Sequence, residues 1–329
     1  MPLSIALLYD MSADPDRVDV NAILGSVEAI GTALHSLGHR TKPVCVSDGL
    51  RPFIERLESD RPDVVFNLCE SFRGVSTGEP SIAGILELLQ LPYTGSGPMT
   101  LSLALDKPLC KTLLSGAGIP TPACQVYTRD SRDARPPAWP VMLKLAKEDA
   151  SVGITAANVV SSTAAFDDRL TALLTEHEGP VMAEAFIDGR EFTVALRDGE
   201  PLVLEEIEFS VEPRIICYAA KWVPGSKEFL GTKAQFAPVV SDDVRARILG
   251  LAREVYALLG MRDYGRVDFR LDPQERTFVL EANPNPDITP GSGYCHALEA
   301  AGVPYVDFID GLVRRALGRQ QAGRPPAGA

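Results

Sequence analysis

The sequence predicts an α/β unit at the N-terminus followed by α+β structure. Three observations predict it. Short apolar runs alternate with amphipathic stretches over the first hundred residues, the texture changes from about Thr121, and two alternating runs after Asp263 read as a hairpin.

In chain order, 5–9, 43–46 and 64–68 are apolar enough for strands of a covered parallel sheet. Residues 18–37 form a long amphipathic stretch stopped by Gly38, and 80–91 a second helix closed by Pro92. A turn-rich junction at 92–98 precedes a helix over 106–118. Strands at 124–127, 141–145, 155–160 and 181–184 then surround one helix at 163–174, with a Pro-rich loop at 134–140. After Glu191 come long strands and an irregular polar segment over 208–233, longer than a structureless loop in a compact domain should be. A helix at 242–259, two more strands and two final helices follow. The Gly/Pro/Ala/Gln tail, 319–329, reads as disordered.

Composition narrows the function. The 329 residues carry 32 Lys and Arg against 44 Asp and Glu, a net charge of −12, so bulk attraction to nucleic acid or anionic lipid is excluded. No apolar run approaches the ~20 residues of a membrane helix. The N-terminus lacks a basic segment and turns acidic at Asp10, which reads as a first strand and not a signal peptide. Six scattered cysteines without a C-x-x-C pair read as reduced thiols of a cytoplasmic protein. Phosphate-loop, dinucleotide, zinc-protease and nucleophile-elbow motifs are absent, and the four histidines are dispersed.

The hairpin carries the chemistry. Centring its turn between Gln274 and Glu275 pairs Leu271 with Phe278, Phe269 with Leu280 and Val267 with Ala282, apolar on apolar. The other face then pairs Asp268 with Glu281 and Arg266 with Asn283. Facing carboxylates sit about 4.5–5.5 Å apart at Cβ and repel. A hard divalent cation such as Mg²⁺ relieves that repulsion, whereas a solvated strand face has no need to gather these four residues. Arg266 is placed to meet anionic oxygens on such an ion. The rigid loop after Asn283 delivers Ser292 to a helix N-terminus, a natural anion position.

These residues resemble the ATP-grasp superfamily and, within it, the D-alanine–D-alanine ligase family. The resemblance rests on pieces in the expected order: Pro92-Tyr93-Thr94-Gly95-Ser96-Gly97, Asp106-Lys107, Lys144, Ser151-Val152-Gly153-Ile154, Glu184 to Val194, and the hairpin. It implies a Rossmann-like N-terminal domain at 1–105, a central lid at 106–189 and a metal-holding domain at 190–318. It implies ATP and Mg²⁺, two ions with Mn²⁺ as a substitute, and a homodimer. By resemblance Lys107, Lys144, Ser151 and Gly153 meet the ATP phosphates, while Glu184, Phe186, Ile187 and Glu191 hold adenine and ribose. Asp268, Glu281 and Asn283 are metal ligands, and Arg266, Lys221 and Ser292 are catalytic.

The family pattern fails around the first substrate. Its N-terminal Glu has no counterpart in the run from Tyr9 to Asp16; its paired Ser and Tyr are Ala150 and Trp222; a usual Gly is Asp287. The histidine-bearing segment is altered around Glu70. Glu70, Asp287 and Trp222 are therefore the candidate substrate residues. The expected function is a carboxylate–amine ligase, working through an acyl phosphate on a substrate other than D-alanine. The alternatives are a divergent D-alanine–D-alanine ligase of cell-wall synthesis and a non-catalytic ATP-binding sensor or scaffold.

Overall fold

The computed structural model describes residues 1–12 and 22–323, without the side chains of 321–323. The first unit is a parallel sheet of β1 (Ser4–Tyr9), β2 (Arg40–Cys45) and β3 (Val64–Asn67) in the order β2-β1-β3. Helix α1 (Ile23–Ser36) joins β1 to β2, and α2 (Leu50–Asp60) joins β2 to β3. Both faces are covered, as period-two alternation requires. Ile5, Leu7 and Phe66 pack on one side with Ile30 and Leu34 of α1, and Ala6, Leu8 and Val65 on the other with Phe53 and Leu57 of α2. Of the long first helix expected over 18–37, residues 18–21 lie outside the described residues. Helices α3 (Glu79–Leu88), α4 (Pro98–Leu105) and α5 (Lys107–Gly116) follow, and Asp106 caps α5 by accepting the Leu109 amide.

The second unit is an antiparallel sheet in the order β4-β7-β5-β6, made of β4 (Cys124–Tyr127), β5 (Val141–Leu145), β6 (Val159–Val160) and β7 (Val181–Ala185). Helix α6 (Thr163–Glu176) lays Phe166, Leu170 and Leu173 on Val141, Leu143 and Val181. The strand expected at 155–160 is confined to its last two residues, because Asn158 and Thr155 close a capped turn before it.

The third unit is a five-stranded antiparallel sheet, β10-β9-β8-β11-β12. Its strands are β8 (Arg190–Arg197), β9 (Glu200–Phe209), β10 (Thr232–Phe236), β11 (Tyr264–Leu271) and β12 (Thr277–Asn283). Gly189 enters β8 where a Cβ would lie 2.0 Å from the Leu271 carbonyl oxygen, so only glycine fits that crossing. The 208–233 segment holds the short helices α7 (Tyr218–Trp222) and α8 (Lys227–Leu230), not a structureless loop. Helix α9 (Asp242–Leu258) covers the sheet's outer face through Val244, Ile248 and Val255.

The hairpin register agrees with expectation at one end and departs at the other. Arg266 faces Asn283, Val267 faces Ala282 and Asp268 faces Glu281, but Phe269 then faces Val279, not Leu280. Leu280 is an inserted residue, a β-bulge that shifts the pairing of the turn end. Asp272 sets that turn by accepting the Gln274 and Arg276 amides at 3.0 and 2.8 Å.

Helices α10 (Gly293–Ala300) and α11 (Tyr305–Gly323) end the described chain. The stretch 319–323, expected to be disordered, is helical. Phe308, Ile309, Leu312 and Val313 carry α11 onto the N-terminal sheet. Arg319 anchors its end by donating both terminal nitrogens to the fully buried Asp263 at 2.5 and 2.8 Å. Asp263 also accepts the Gly95 amide at 2.7 Å, which ties the first unit, the third sheet and the last helix at one carboxylate. Residues 324–329 lie outside the described residues.

Candidate active site

A cavity of about 190 Å³ lies between the four-stranded sheet of the second unit and the five-stranded sheet, lined from both. Its floor is a row of directly paired residues across four strands: Glu205 of β9, Thr193 of β8, Asp268 of β11 and Glu281 of β12. Paired residues share a face, and all four line the cavity. The neighbouring row sets Ile207 beside Glu191 and Arg270, and on the other side Arg266 faces Asn283.

Asp268 receives a bidentate pair from Arg266, Nε at 2.8 Å and Nη2 at 2.9 Å, and the Thr193 hydroxyl donates to it at 2.8 Å. Burial opposes the Arg266 charge, but Asp268 raises its affinity for the proton further. Glu281 is the focus of the field. Burial pushes its carboxyl up, yet Lys107, Lys144, Lys221 and Arg266 together hold it down at about 2. It is therefore ionised at any ordinary pH.

Two opposed carboxylates with no soft ligand beside them fit a hard cation such as Mg²⁺. Among the described residues no cluster of three His, Cys, Asp or Glu side chains exists to complete an all-protein cage. That suits an ion whose remaining ligands are an amide oxygen, water and phosphate. Asn283 lies in the pair next to Glu281, and its Oδ1 accepts the Asn285 amide at 2.8 Å.

Lys107, Lys144, Glu184, Phe186, Ile187 and Glu191 are brought together on the cavity wall. Lys107 donates to the Glu148 carbonyl at 2.6 Å and to Asp149 at 2.8 Å. Burial works against its charge, but Asp149 and Glu281 raise its pKa above the ordinary lysine value. Lys144 pairs with Glu184 at 2.6 Å. Burial alone would raise the Glu184 carboxyl, but Lys111 and Lys144 hold it below its ordinary value. Glu191 pairs with Arg270 at 2.5 Å, and burial raises its pKa in spite of that partner.

The segment after Lys144 loops over the cavity. Ala150 and Ser151 both adopt left-handed backbone, and Ser151 Oγ donates to the Ile216 carbonyl at 3.0 Å. Gly153 is also left-handed (φ +72°), stands behind this loop and is not part of the cavity wall. Trp222, also off the wall, donates its indole N–H to the Ala150 carbonyl at 3.0 Å. Two positions that depart from the family pattern thus bond to each other. Lys221, one residue earlier, does line the cavity; burial and then Arg266 lower its pKa.

Besides Gly153, Trp222 and Asn283, three further candidates do not line the cavity. Ser292 is the N-cap of α10, accepting the Cys295 amide and donating to the Asp287 carbonyl at 2.8 Å. The Asp287 carboxylate is taken up locally by the amide and hydroxyl of Thr289. Glu70 is exposed in the first unit. Asp10, where the family pattern first fails, is buried and accepts from Ser71 Oγ at 2.6 Å, the Gly74 amide at 2.9 Å and Ser47 Oγ.

Sequence reasoning missed several residues. Lys111 pairs with Glu184 at 2.5 Å and is 4% exposed in its side chain. Its signal was faint: a lysine four residues after Lys107, on the same helix face. Arg270 donates to the Gly189 carbonyl at 3.2 Å and lies over the rings of Phe186 and Phe209. Its alternation with Arg266 and Asp268 places it on the cavity face. Thr193 lies inside the matching stretch Glu184 to Val194 but was given no role, and Glu205 carries no motif at all.

The chain is similar to known proteins over most of its length. A family model described as D-ala D-ala ligase C-terminus matches residues 113–314. The D-alanine–D-alanine ligase of Moorella thermoacetica is 32% identical over 305 residues, covering 89% of this chain and 94% of that one. The ligase of Gloeobacter violaceus is 32% identical over 313 residues, covering 93% and 97%. The crystal structure of the Bacillus anthracis ligase complexed with ATP superposes with a TM-score of 0.79 at 20% identity, covering 98% of this chain and all of that one.

Proposed function

The chain belongs to the D-alanine–D-alanine ligase family, ADP-forming ATP-grasp enzymes that make carbon–nitrogen bonds, and from that premise we propose that it joins two D-alanine molecules. The observation that carries the reading is the similarity of nearly the whole chain to D-alanine–D-alanine ligases. It favours D-alanine over the different acyl donor expected from the departures at Ala150, Trp222 and Asp287. Physical detail supports the change. The Trp222 indole ties α7 to the main-chain carbonyl of Ala150, and Asp287 is consumed by its own turn.

In the proposed reaction the carboxylate of one D-alanine attacks the γ-phosphorus of ATP, and ADP leaves. The amine of the second D-alanine then attacks the acyl carbon, inorganic phosphate leaves, and the nitrogen loses its proton. Such chemistry asks the protein for position and charge more than for covalent work. Lys107 and Lys144 neutralise phosphate oxygens. Glu191 faces the ribose, while Phe186 and Ile187 flank the base whose amino group Glu184 accepts. Arg266 meets the transferring phosphoryl group and the oxyanion that follows. Asp268, Glu281 and Asn283 would hold Mg²⁺, which when bound supplies the remaining neutralisation of the phosphates.

By family resemblance the reading includes two ions, with Mn²⁺ as a substitute, a homodimer, and the division at 105, 189 and 318. The test is direct. Purified protein given ATP, Mg²⁺ and D-alanine is expected to release one ADP per D-alanyl-D-alanine, measured by mass spectrometry. ATP binding without dipeptide, or ADP release that requires a different acid, would overturn the substrate assignment.

A further inference from the structure

The cavity holds one carboxyl group that phosphate and metal chemistry leave unused. Asp268 and Glu281 face each other as the metal pair. Glu184 is shared by Lys111 and Lys144, Glu191 is taken by Arg270, and Asp149 by Lys107. Glu148 accepts from Ser76 at 2.9 Å. Glu205 is 4% exposed, lines the same cavity, and among the described residues accepts no hydrogen bond and joins no ion pair. A buried carboxyl without a donor is costly, and a cavity-facing one is relieved by a donor on a ligand.

Charge identifies the donor. Apart from Arg270, which is taken by Glu191, the cavity wall presents Lys107, Lys144, Lys221 and Arg266, four cations suited to phosphates and to a substrate carboxylate. The one cationic group that the reactants bring is the ammonium of an amino acid. Position chooses between the two amino acids. Glu205 stands at the far end of the floor row from Glu281, one strand beyond Thr193 and two from Asp268, so its backbone is roughly 10 Å from that of Asp268. Arg266 is the cation whose charge acts on it. The acceptor nitrogen must come within bonding distance of the carbon whose oxyanion Arg266 steadies.

We propose that Glu205 receives the ammonium group of the acceptor amino acid and holds it beside Arg266, an inference that rests on the ligase reading above. Burial, eased by Arg266 and reinforced by Asp268, raises the Glu205 carboxyl to about 7 in the empty protein. An arriving ammonium favours its ionised form, and the pair then satisfies a group that is otherwise alone.

The experiment uses the full chain as wild type, Glu205→Gln and Glu205→Ala, each checked for unchanged ATP binding. Rates against D-alanine resolve a donor and an acceptor Michaelis constant. Loss of a charge-assisted contact is expected to raise the acceptor constant tenfold or more in both variants, with the donor and ATP constants moved less than twofold. A second readout uses D-lactate, the hydroxy-acid isostere that carries no ammonium. The ratio of D-alanyl-D-alanine to D-alanyl-D-lactate is expected to fall about tenfold in the variants, a change that general loosening of the fold would not produce. Unmoved acceptor constants and product ratios, or a rise confined to the donor constant, overturn the assignment of Glu205 alone. A wild-type protein that makes no dipeptide overturns the ligase reading, and this inference with it.

Discussion

Replacing Glu281 by glutamine probes the cavity's electrostatics before any substrate is added. The carboxyl is held at about 2 against an ordinary 4.5 because three ammonium groups and a guanidinium outweigh its burial. A carboxyl lowered in the folded state contributes stability that is complete above about pH 4.5 and is lost as pH falls through about 2. At 1.36 kcal/mol per pH unit the contribution is about 3 kcal/mol, an upper figure because solvent reaches the cavity. Glu281→Gln is therefore expected to lower the unfolding free energy of the metal-free protein by up to about 3 kcal/mol at pH 7. The difference should shrink to about 1 kcal/mol near pH 3. Urea titrations of both proteins at the two pH values measure it, and ADP release against Mg²⁺ concentration gives the catalytic side, where turnover at ordinary Mg²⁺ should disappear. Equal stability at pH 7 together with an unchanged Mg²⁺ requirement would refute the reasoning.

Two further predictions concern charges outside the cavity. Burial raises the Glu79 carboxyl to about 8, although Asn285 Nδ2 donates to it at 2.8 Å. A raised acid loses stability as pH climbs from about 4.5 to 8, so Glu79→Gln should match wild type near pH 4 and exceed it by at most about 4 kcal/mol at pH 8, read by thermal unfolding. Asp263→Asn leaves Arg319 and Arg315 facing a neutral group at the junction of three elements; a loss of about 3–5 kcal/mol is expected, and a melting temperature equal to wild type would contradict it.

How much was legible follows from what local pattern can encode. The site end of the hairpin could be read because alternation fixes which residues share a face, and Arg266, Asp268, Glu281 and Asn283 fall where it puts them. The turn end could not, because the bulge at Leu280 leaves the apolar pattern intact while moving the register by one. Ser292 was expected to be catalytic and Asp287 to meet substrate, but short polar side chains near a helix start satisfy the local backbone first, and both do so. Lys111 and Glu205 escaped for the opposite reason: one has its partner, and the other its cavity, on distant strands that no spacing along the chain reveals. Only 319–323 of the expected tail departs: its small residues gave no sign that the last helix runs on past its apolar stripe to the Arg319 anchor.

The seat of α11 on the first sheet has a consequence for biosynthesis. Phe66 leaves the ribosome long before Phe308, which covers the same apolar layer. At about 5–20 residues per second the interval is roughly 10–50 s, during which only α1 lies over that layer in the nascent chain. The first unit is sealed only after residues 305–323 have emerged, so chains stalled or cut short before them should be the ones that chaperones capture.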